Sequence, residues 1–176
     1  MNLLVAIDEW GCSADAIAAV IEQYRPAGAE VRVLHVIEWP RDLPASFAFA
    51  EGPSAAASVL RAKEDRWRRG HDLLAAAVER LEHALFSSSA QLVEGVPQQV
   101  IVAMAANWPA DTIVIGSHRR HGLPRMLLGS VSDAVVRHAL CSVHVVRERI
   151  AKREADARLS GQQDLSTTAN REGVTS

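Results

Sequence analysis

The chain has 176 residues, and 48% of them are hydrophobic, which is enough for one globular domain with a sizeable core. Its formal net charge of −2 provides no general attraction to nucleic acid or to an anionic membrane surface. Aromatic residues make up 5% of the chain, which also disfavours a platform for stacking nucleic-acid bases. We therefore expect neither a nucleic-acid partner nor a membrane partner.

The cellular compartment is indicated by the cysteines and by the first residues. Cys12 and Cys141 lie far apart and form no CxxC pattern, which is typical of a protein from a reducing cytoplasm. The opening residues MNLLVAIDEW lack the basic segment of a signal peptide, and no apolar run approaches the roughly 18 residues that span a bilayer. We expect a cytoplasmic protein.

The order of predicted elements indicates an α/β fold. Apolar or β-branched runs predict five strands, at residues 3–7, 31–37, 90–93, 112–116 and 142–146. Helical periodicity predicts helices between them, at 13–24, 56–85, 97–107 and 130–140. The runs LLVAI and TIVIG are almost continuously apolar, as in strands that are buried on both faces of a parallel sheet. This alternation predicts a five-stranded parallel sheet with right-handed crossovers and helices on both faces.

Capping and composition signals refine these boundaries. Ser13 is placed to cap the first helix, and Pro97 suits the first turn of a later helix. Residues 38–55 contain three prolines and are predicted to form a loop. Residues 149–176 are polar with few large apolar side chains, which predicts a disordered tail after a folded domain at 1–148.

The stretch GSHRRHGLPRMLLGS, residues 116–130, has the composition of a loop that holds an anion. It follows a strand at its carboxyl end, where ligands bind in parallel α/β sheets, and it leads into a helix. Backbone N–H groups of Ser130, Val131 and Ser132 would be unpaired at that helix start, beside the positive end of the helix dipole. Gly129 would let a ligand approach closely, and the hydroxyl of Ser130 would add a donor. In the alternative interpretation, the glycines only make turns and Ser130 only caps the helix.

The same stretch resembles the nucleotide loop of the universal stress protein family. The family pattern is Gly, two residues, Gly, nine residues, Gly, then Ser or Thr; Gly116, Gly129 and Ser130 match it, and Arg119 replaces the second glycine. Further similar motifs follow in the family's order: VAID, VLHVIE, EGVPQQVIVAMA and LLGSVSDAVVRHALCSVHVVR. The resemblance covers roughly residues 1–148.

The resemblance implies a fold, an assembly and a function. The sheet would have strand order 3-2-1-4-5, and two copies would form a homodimer by pairing their last strands, residues 142–147. The chain would be a cytoplasmic stress-response protein that binds ATP, with magnesium, as a regulatory module. No general base or arginine-finger arrangement is readable, so any ATP hydrolysis would be slow.

The resemblance also implies which residues form the nucleotide site. Ala6, Ile7 and Asp8 would lie beside the adenine and ribose, and backbone groups at Val36 would contact adenine. The phosphate end would comprise Gly116, Ser117, His118, Arg119, Gly129, Ser130, Val131 and Ser132. Two structural alternatives stay open, because Asp8 could cap the turn into the first helix and Val36 could be plain core. The turn DEWG at residues 8–11 also departs from the family's usual Asp-Gly-Ser.

Because Arg119 stands at a glycine position of the family pattern, functions other than nucleotide binding stay open. A non-glycine residue costs on the order of 1–2 kcal/mol if the backbone there needs positive φ, yet an arginine can also pair with phosphate oxygens. One alternative function is a dimeric interaction module that binds no nucleotide; another is an adenylylating α/β enzyme, although no catalytic signature is present. His118 and His121 lack a nearby acid or cysteine, so no metal site is predicted.

Overall fold

The computed structural model describes residues 1–9, 12–39, 53–117 and 128–147. Strands and helices alternate throughout these residues, as the sequence predicts. They are β1 (Asn2–Ile7), α1 (Cys12–Gln23), β2 (Glu30–Ile37), α2 (Pro53–His83), β3 (Ser87–Glu94), α3 (Pro97–Asn107), β4 (Thr112–Ser117), α4 (Ser130–His138) and β5 (Ser142–Arg147).

The five strands form one parallel sheet in the order β3-β2-β1-β4-β5. In the centre of the sheet, Leu3 lies opposite Val31 of β2 on one side and Thr112 of β4 on the other. Strands β2 and β3 therefore lie on one side of β1, and β4 and β5 lie on its other side. Both the predicted α/β class and the predicted strand order are confirmed, and the strand order reverses between β1 and β4.

Alternate side chains of β1 enter two separate cores, one on each face of the sheet. Leu3 and Val5 are fully buried on the first face, where α1 and α2 pack. Leu4 and Ala6 point to the second face, where α3 and α4 pack. Burial on both faces explains why the sequence of β1 is continuously apolar.

Some predicted boundaries are wrong, and each error has a local cause. α2 begins at Pro53 rather than at residue 56, so the predicted loop at 38–55 ends earlier; the other residues of that loop from 40 onward lie outside the described ranges. Proline suits a first helical turn because its missing N–H would be unpaired there. β3 begins at Ser87 rather than at residue 90, and it pairs with β2 through the polar run SSS, which carries no apolar signal.

The end of α2 has a hydrogen-bonding pattern that normally contains glycine. The Phe86 N–H donates to the Leu81 carbonyl at 3.0 Å, and the Leu85 N–H donates to the Glu82 carbonyl at 2.9 Å. These two bonds define a Schellman motif, in which the residue at the position of Leu85 adopts the left-handed conformation. Leu85 does so with φ of 66°, and its side chain is 81% exposed. Phe86 and Leu81 are both buried, which supplies the apolar contact of the motif.

Within the described ranges, no helix combines the length and the apolar content needed to cross a membrane.

Candidate functional site

The carboxyl ends of β1 and β4 lie side by side at the point where the strand order reverses. Ala6 is directly opposite Ile115, so the next residues of each strand meet at the same edge of the sheet. This arrangement brings together two groups of predicted site residues, those at 6–8 and those at 116–117. We call this region the carboxyl edge of β1 and β4.

The N-terminus of α4 is formed by backbone alone. Gly129 is the N-cap residue, with φ of −62° and ψ of 156°, and no side chain caps the helix. Its carbonyl accepts the first helical hydrogen bond, from the Asp133 N–H at 2.8 Å. The helical N–H groups of Ser130, Val131 and Ser132 have no intrahelical acceptor. The alternative in which Ser130 caps the helix is therefore wrong, because Ser130 is the first helical residue.

The side chains of this first turn have different roles. The buried Ser132 hydroxyl donates to the Gly129 carbonyl at 3.0 Å, so Ser132 offers a ligand its N–H rather than its hydroxyl. Val131 packs against the core of the second face, whereas Ser130 is exposed. Of the three predicted phosphate contacts, only the Ser130 side chain can add a donor to the backbone groups.

The one acid in the first turn of α4 is held by a cation. Arg137 Nε donates to Asp133 Oδ2 at 2.9 Å, and Arg137 Nη2 donates to Oδ1 at 3.2 Å. This hydrogen bond and the charge of Asp133 raise the pKa of Arg137 above its ordinary value. Because a carboxylate near a helix N-terminus would repel a bound anion, the pairing removes part of that repulsion.

The end of β1 is tied to α1 by a serine. The Asp8 N–H donates to Ser13 Oγ at 2.8 Å, and the Ser13 hydroxyl donates to the Asp8 carbonyl or to its Oδ1 at 3.2 Å. The prediction that Ser13 caps α1 is wrong, because α1 begins at Cys12 and the hydroxyl turns back to Asp8. Asp8 thus has a structural role in the turn into α1, and it stays half-exposed at the carboxyl edge.

A buried histidine fixes the other side of β1. His35 is 5% exposed, and its Nδ1 lies 2.9 Å from the Ile7 carbonyl oxygen. α2 approaches this ring closely at Gly70, where an added Cβ would lie 3.0 Å from His35 Cδ2 and 2.9 Å from Leu92 Cδ1. This contact depends on the register that pairs Ile7 with His35.

Val36 lies near the carboxyl end of β2, on the strand adjacent to β1. Its half-buried side chain packs on the second face beside Val93. The core role considered for Val36 is therefore confirmed, and its predicted backbone contact with adenine stays a prediction. The next residue, Ile37, accepts a hydrogen bond from the Gly95 N–H at 3.1 Å.

Several predicted residues fall outside the described ranges. These are His118 and Arg119 of the anion loop, together with Trp10 and Gly11 of the DEWG turn. Gly116 is half-buried and Ser117 is buried at the end of β4, so the structure places the first part of that loop. In the ranges that are described, no three His, Cys, Asp or Glu side chains group together as a metal site would require.

The model of the universal stress protein family matches residues 1–147 of this chain. The chain belongs to the universal stress protein family. It is 32% identical over 120 residues to universal stress protein A homolog 2 of Coxiella burnetii, which covers 68% of this chain and 75% of that protein. It is also 30% identical over 147 residues to universal stress protein MJ0531 of Methanocaldococcus jannaschii, which covers 84% and 82% of the two chains.

Solved structures of family members share the fold. Protein MJ0577 of Methanocaldococcus jannaschii superposes with a TM-score of 0.68 at 25% identity, covering 84% of this chain and 96% of that one. A family member from Arabidopsis thaliana, solved with AMP bound, gives a TM-score of 0.61 at 18% identity, with 86% and 94% covered. A universal stress protein in complex with cAMP gives 0.56 at 21% identity, with 83% and 95% covered.

Proposed function

We propose that this universal stress protein binds ATP, with magnesium, at the carboxyl edge of β1 and β4 and acts as a regulatory module in the cytoplasmic stress response. The observation that carries the proposal is the N-terminus of α4, where Gly129 leaves three N–H groups without a side-chain cap. Family members solved with AMP and with cAMP support an adenine nucleotide as the ligand class.

The proposed position of the phosphates, at the N-terminus of α4, rests on the electrostatics of that helix. Unpaired N–H groups and the positive end of the helix dipole together attract phosphate oxygens without a lysine. Ser130 is exposed, so its hydroxyl is accessible to a ligand. Arg137 offsets the charge of Asp133, the acid of this first turn. The turn therefore presents donors to an anion at little electrostatic cost.

The proposed position of the nucleoside rests on the order of the strands. Asp8 stands half-exposed at the end of β1, and its backbone is held by Ser13. Val36 lies on the neighbouring strand, so adenine would bind beside both strand ends. Since the sequence shows no general-base or arginine-finger arrangement, the activity that we propose is binding, with at most slow hydrolysis.

A proline substitution tests the phosphate end specifically. Ser130→Pro removes the first of the three N–H donors, and proline is tolerated at the first helical position. The preceding residue, Gly129, already has the extended conformation that a following proline requires. Loss of a hydrogen bond to a charged group should weaken ATP binding by about 10- to 100-fold in equilibrium dialysis. Ser130→Ala is the matched control, because it keeps the N–H and removes only the hydroxyl.

The same measurement decides the role of Arg119. We expect Arg119→Gly to raise ATP affinity if the arginine plugs the site, and to lower it by about 10- to 100-fold if the arginine pairs with phosphate. We favour the plug. Gly129→Val should weaken binding in both cases, because the new side chain would occupy space next to the phosphates. If the unaltered protein and Arg119→Gly both fail to bind ATP at millimolar concentration with magnesium, the proposal is wrong.

We also propose that two copies pair through β5, which would make the protein a dimeric interaction module as well. The observation that favours this is the set of exposed apolar side chains near β5, with Leu140 at 92% exposure and Val136 at 44%. Pairing would cover these side chains and remove an open sheet edge. Sedimentation velocity at micromolar concentration should show a dimer; a monomer under these conditions would contradict the assembly.

A further inference from the structure

An open surface cavity lies on the second face of the sheet, between α3 and the strands β2 and β3. Its volume is about 370 Å³, and it is open to solvent along the exposed residues Gln91, Ala103 and Asn107. Its polar lining comes from Arg32, Gln91 and Asn107, and its apolar lining comes mainly from Val100, Met104 and Trp108. Arg32 is the third residue of β2 and pairs with Leu4, so the cavity is at the amino half of the sheet, away from the carboxyl edge.

The cation of this cavity is held by an aromatic ring rather than by an acid. The guanidinium carbon of Arg32 lies 4.3 Å from the centre of the Trp108 ring. Glu30 is on the same face of β2 as Arg32, but the two side chains form no ion pair. The ion pairs found among the described residues involve cations other than Arg32. A guanidinium stacked on a ring donates from its edge, so its N–H groups can meet a carboxylate in a bidentate way.

The backbone that carries the Trp108 indole is held by hydrogen bonds, and the side chain packs against the core of the second face. Trp108 is the C-cap residue of α3, and its backbone N–H donates to the Met104 carbonyl at 3.0 Å. The side-chain amide of Asn2 donates to the carbonyls of Trp108 at 3.5 Å and Pro109 at 3.2 Å. Because the Trp108 ring is packed against this core and against Arg32, we expect binding to cost little further ordering of the ring.

We propose that this cavity binds a small organic monocarboxylate with a flat apolar body. Arg32 would hold the carboxylate, the amides of Gln91 and Asn107 would hydrogen-bond its polar substituents, and Val100 and Met104 would contact the apolar body. The site contains one cation and lies at the C-terminal end of α3, where the helix dipole is negative. A singly charged group therefore fits better than a phosphate dianion.

Benzoate is the first probe, and NMR of the Trp108 indole N–H is the readout. We expect a saturable shift with a dissociation constant of about 1 mM, which is reasonable for a ligand of this size. Benzyl alcohol has a similar body without the charge and should bind about tenfold or more weakly, while inorganic phosphate has charge without the body and should not saturate. The benzoate shift should persist with ATP present, which separates this site from the nucleotide proposal.

Two pairs of variants test the assignment. Arg32→Gln should weaken benzoate binding by about tenfold or more, because it removes a charge-assisted hydrogen bond. Arg66→Gln is its control, since Arg66 stacks on Trp39 at 5.4 Å outside this cavity. Ala103→Leu should block the cavity, whereas Ala106→Leu changes another exposed position of the same helix. Unchanged affinity in both Arg32→Gln and Ala103→Leu, or no saturable benzoate shift, would overturn the proposal.

Discussion

The two edge strands of the sheet present different chemistry to their surroundings. The exposed side chains of β3 are mostly small or polar, and they include Ser89, Ala90 and Gln91. β5 carries Val143 and Val145, which pack on the second face, and it follows the exposed Leu140. Both strands are parallel to their single neighbour, so the contrast that we draw comes from side chains.

This contrast indicates which edge is protected against pairing. Natural proteins block open edges with charged and polar groups, and Lys63 of α2 forms an ion pair with Glu94 of β3 at 2.9 Å. β5 has alternating apolar side chains at the corresponding positions, which suits pairing with a second copy. The contrast favours the proposed pairing at β5 over pairing at β3, and three pairs of substitutions compare the two sides of the sheet.

Proline substitution at each edge should give the largest difference. The Ser142 N–H donates toward β4 and the Gly95 N–H donates toward β2, so by alternation the N–H groups of Val143 and Ala90 face outward. Val143→Pro should weaken dimerisation roughly 30-fold, because a two-fold interface loses a hydrogen bond of about 1 kcal/mol twice. Ala90→Pro should leave dimerisation unchanged. Sedimentation velocity measures both, and equal effects at the two edges would remove the distinction between them.

Truncation of the exposed leucine before β5 should have a smaller effect. Leu140→Ala should weaken the dimer by about tenfold, since rim positions of an interface each contribute up to about 1 kcal/mol. Leu85 provides the matched control, because it is 81% exposed and immediately precedes Phe86 and the edge strand β3. If Leu85→Ala weakens the dimer as much as Leu140→Ala does, apolar exposure near β5 is not what holds the two copies together.

The smallest predicted effect concerns the stability of one protomer. Leu85→Gly should raise the free energy of unfolding by about 1 kcal/mol, because glycine adopts the left-handed conformation without the penalty of a side chain. Leu140→Gly is the comparison, and it should bring no gain, because among the described non-glycine residues only Leu85 has positive φ. Urea denaturation at one fixed protein concentration measures both variants. A loss of stability in Leu85→Gly would mean that the leucine side chain contributes more than its strained backbone costs.

The sheet could be predicted from the sequence because its central strands are buried on both faces. Continuous apolar runs identified β1 and β4, and the alternation with helices identified the parallel topology. The start of β3 could not be predicted, since Ser87, Ser88 and Ser89 join the sheet through backbone hydrogen bonds and carry no apolar pattern. Edge strands give weak signals for this reason.

The candidate site was predicted less completely than the fold. Glycine spacing located the start of α4, but it did not distinguish an N-cap at Gly129 from one at Ser130, because both residue types favour that position. The hydroxyl of Ser13 bonds back to Asp8, and His35 bonds to Ile7. Both contacts depend on how the chain turns or on which strands are neighbours. The local sequence pattern does not predict such contacts, which become visible only in the folded structure.

The central position of β1 has a consequence for the order in which the chain folds during synthesis. Residues 2–7 emerge from the ribosome before the other strands of the sheet, and they can pair early with β2, which follows about 25 residues later. Their other partner, β4, begins only at Thr112, so one side of the most apolar strand stays unpaired until synthesis has passed that residue. Contacts between distant segments form slowly because a long loop must close first. A nascent chain of this protein therefore has the most need of chaperone protection at its first strand, and that need ends when β4 is available.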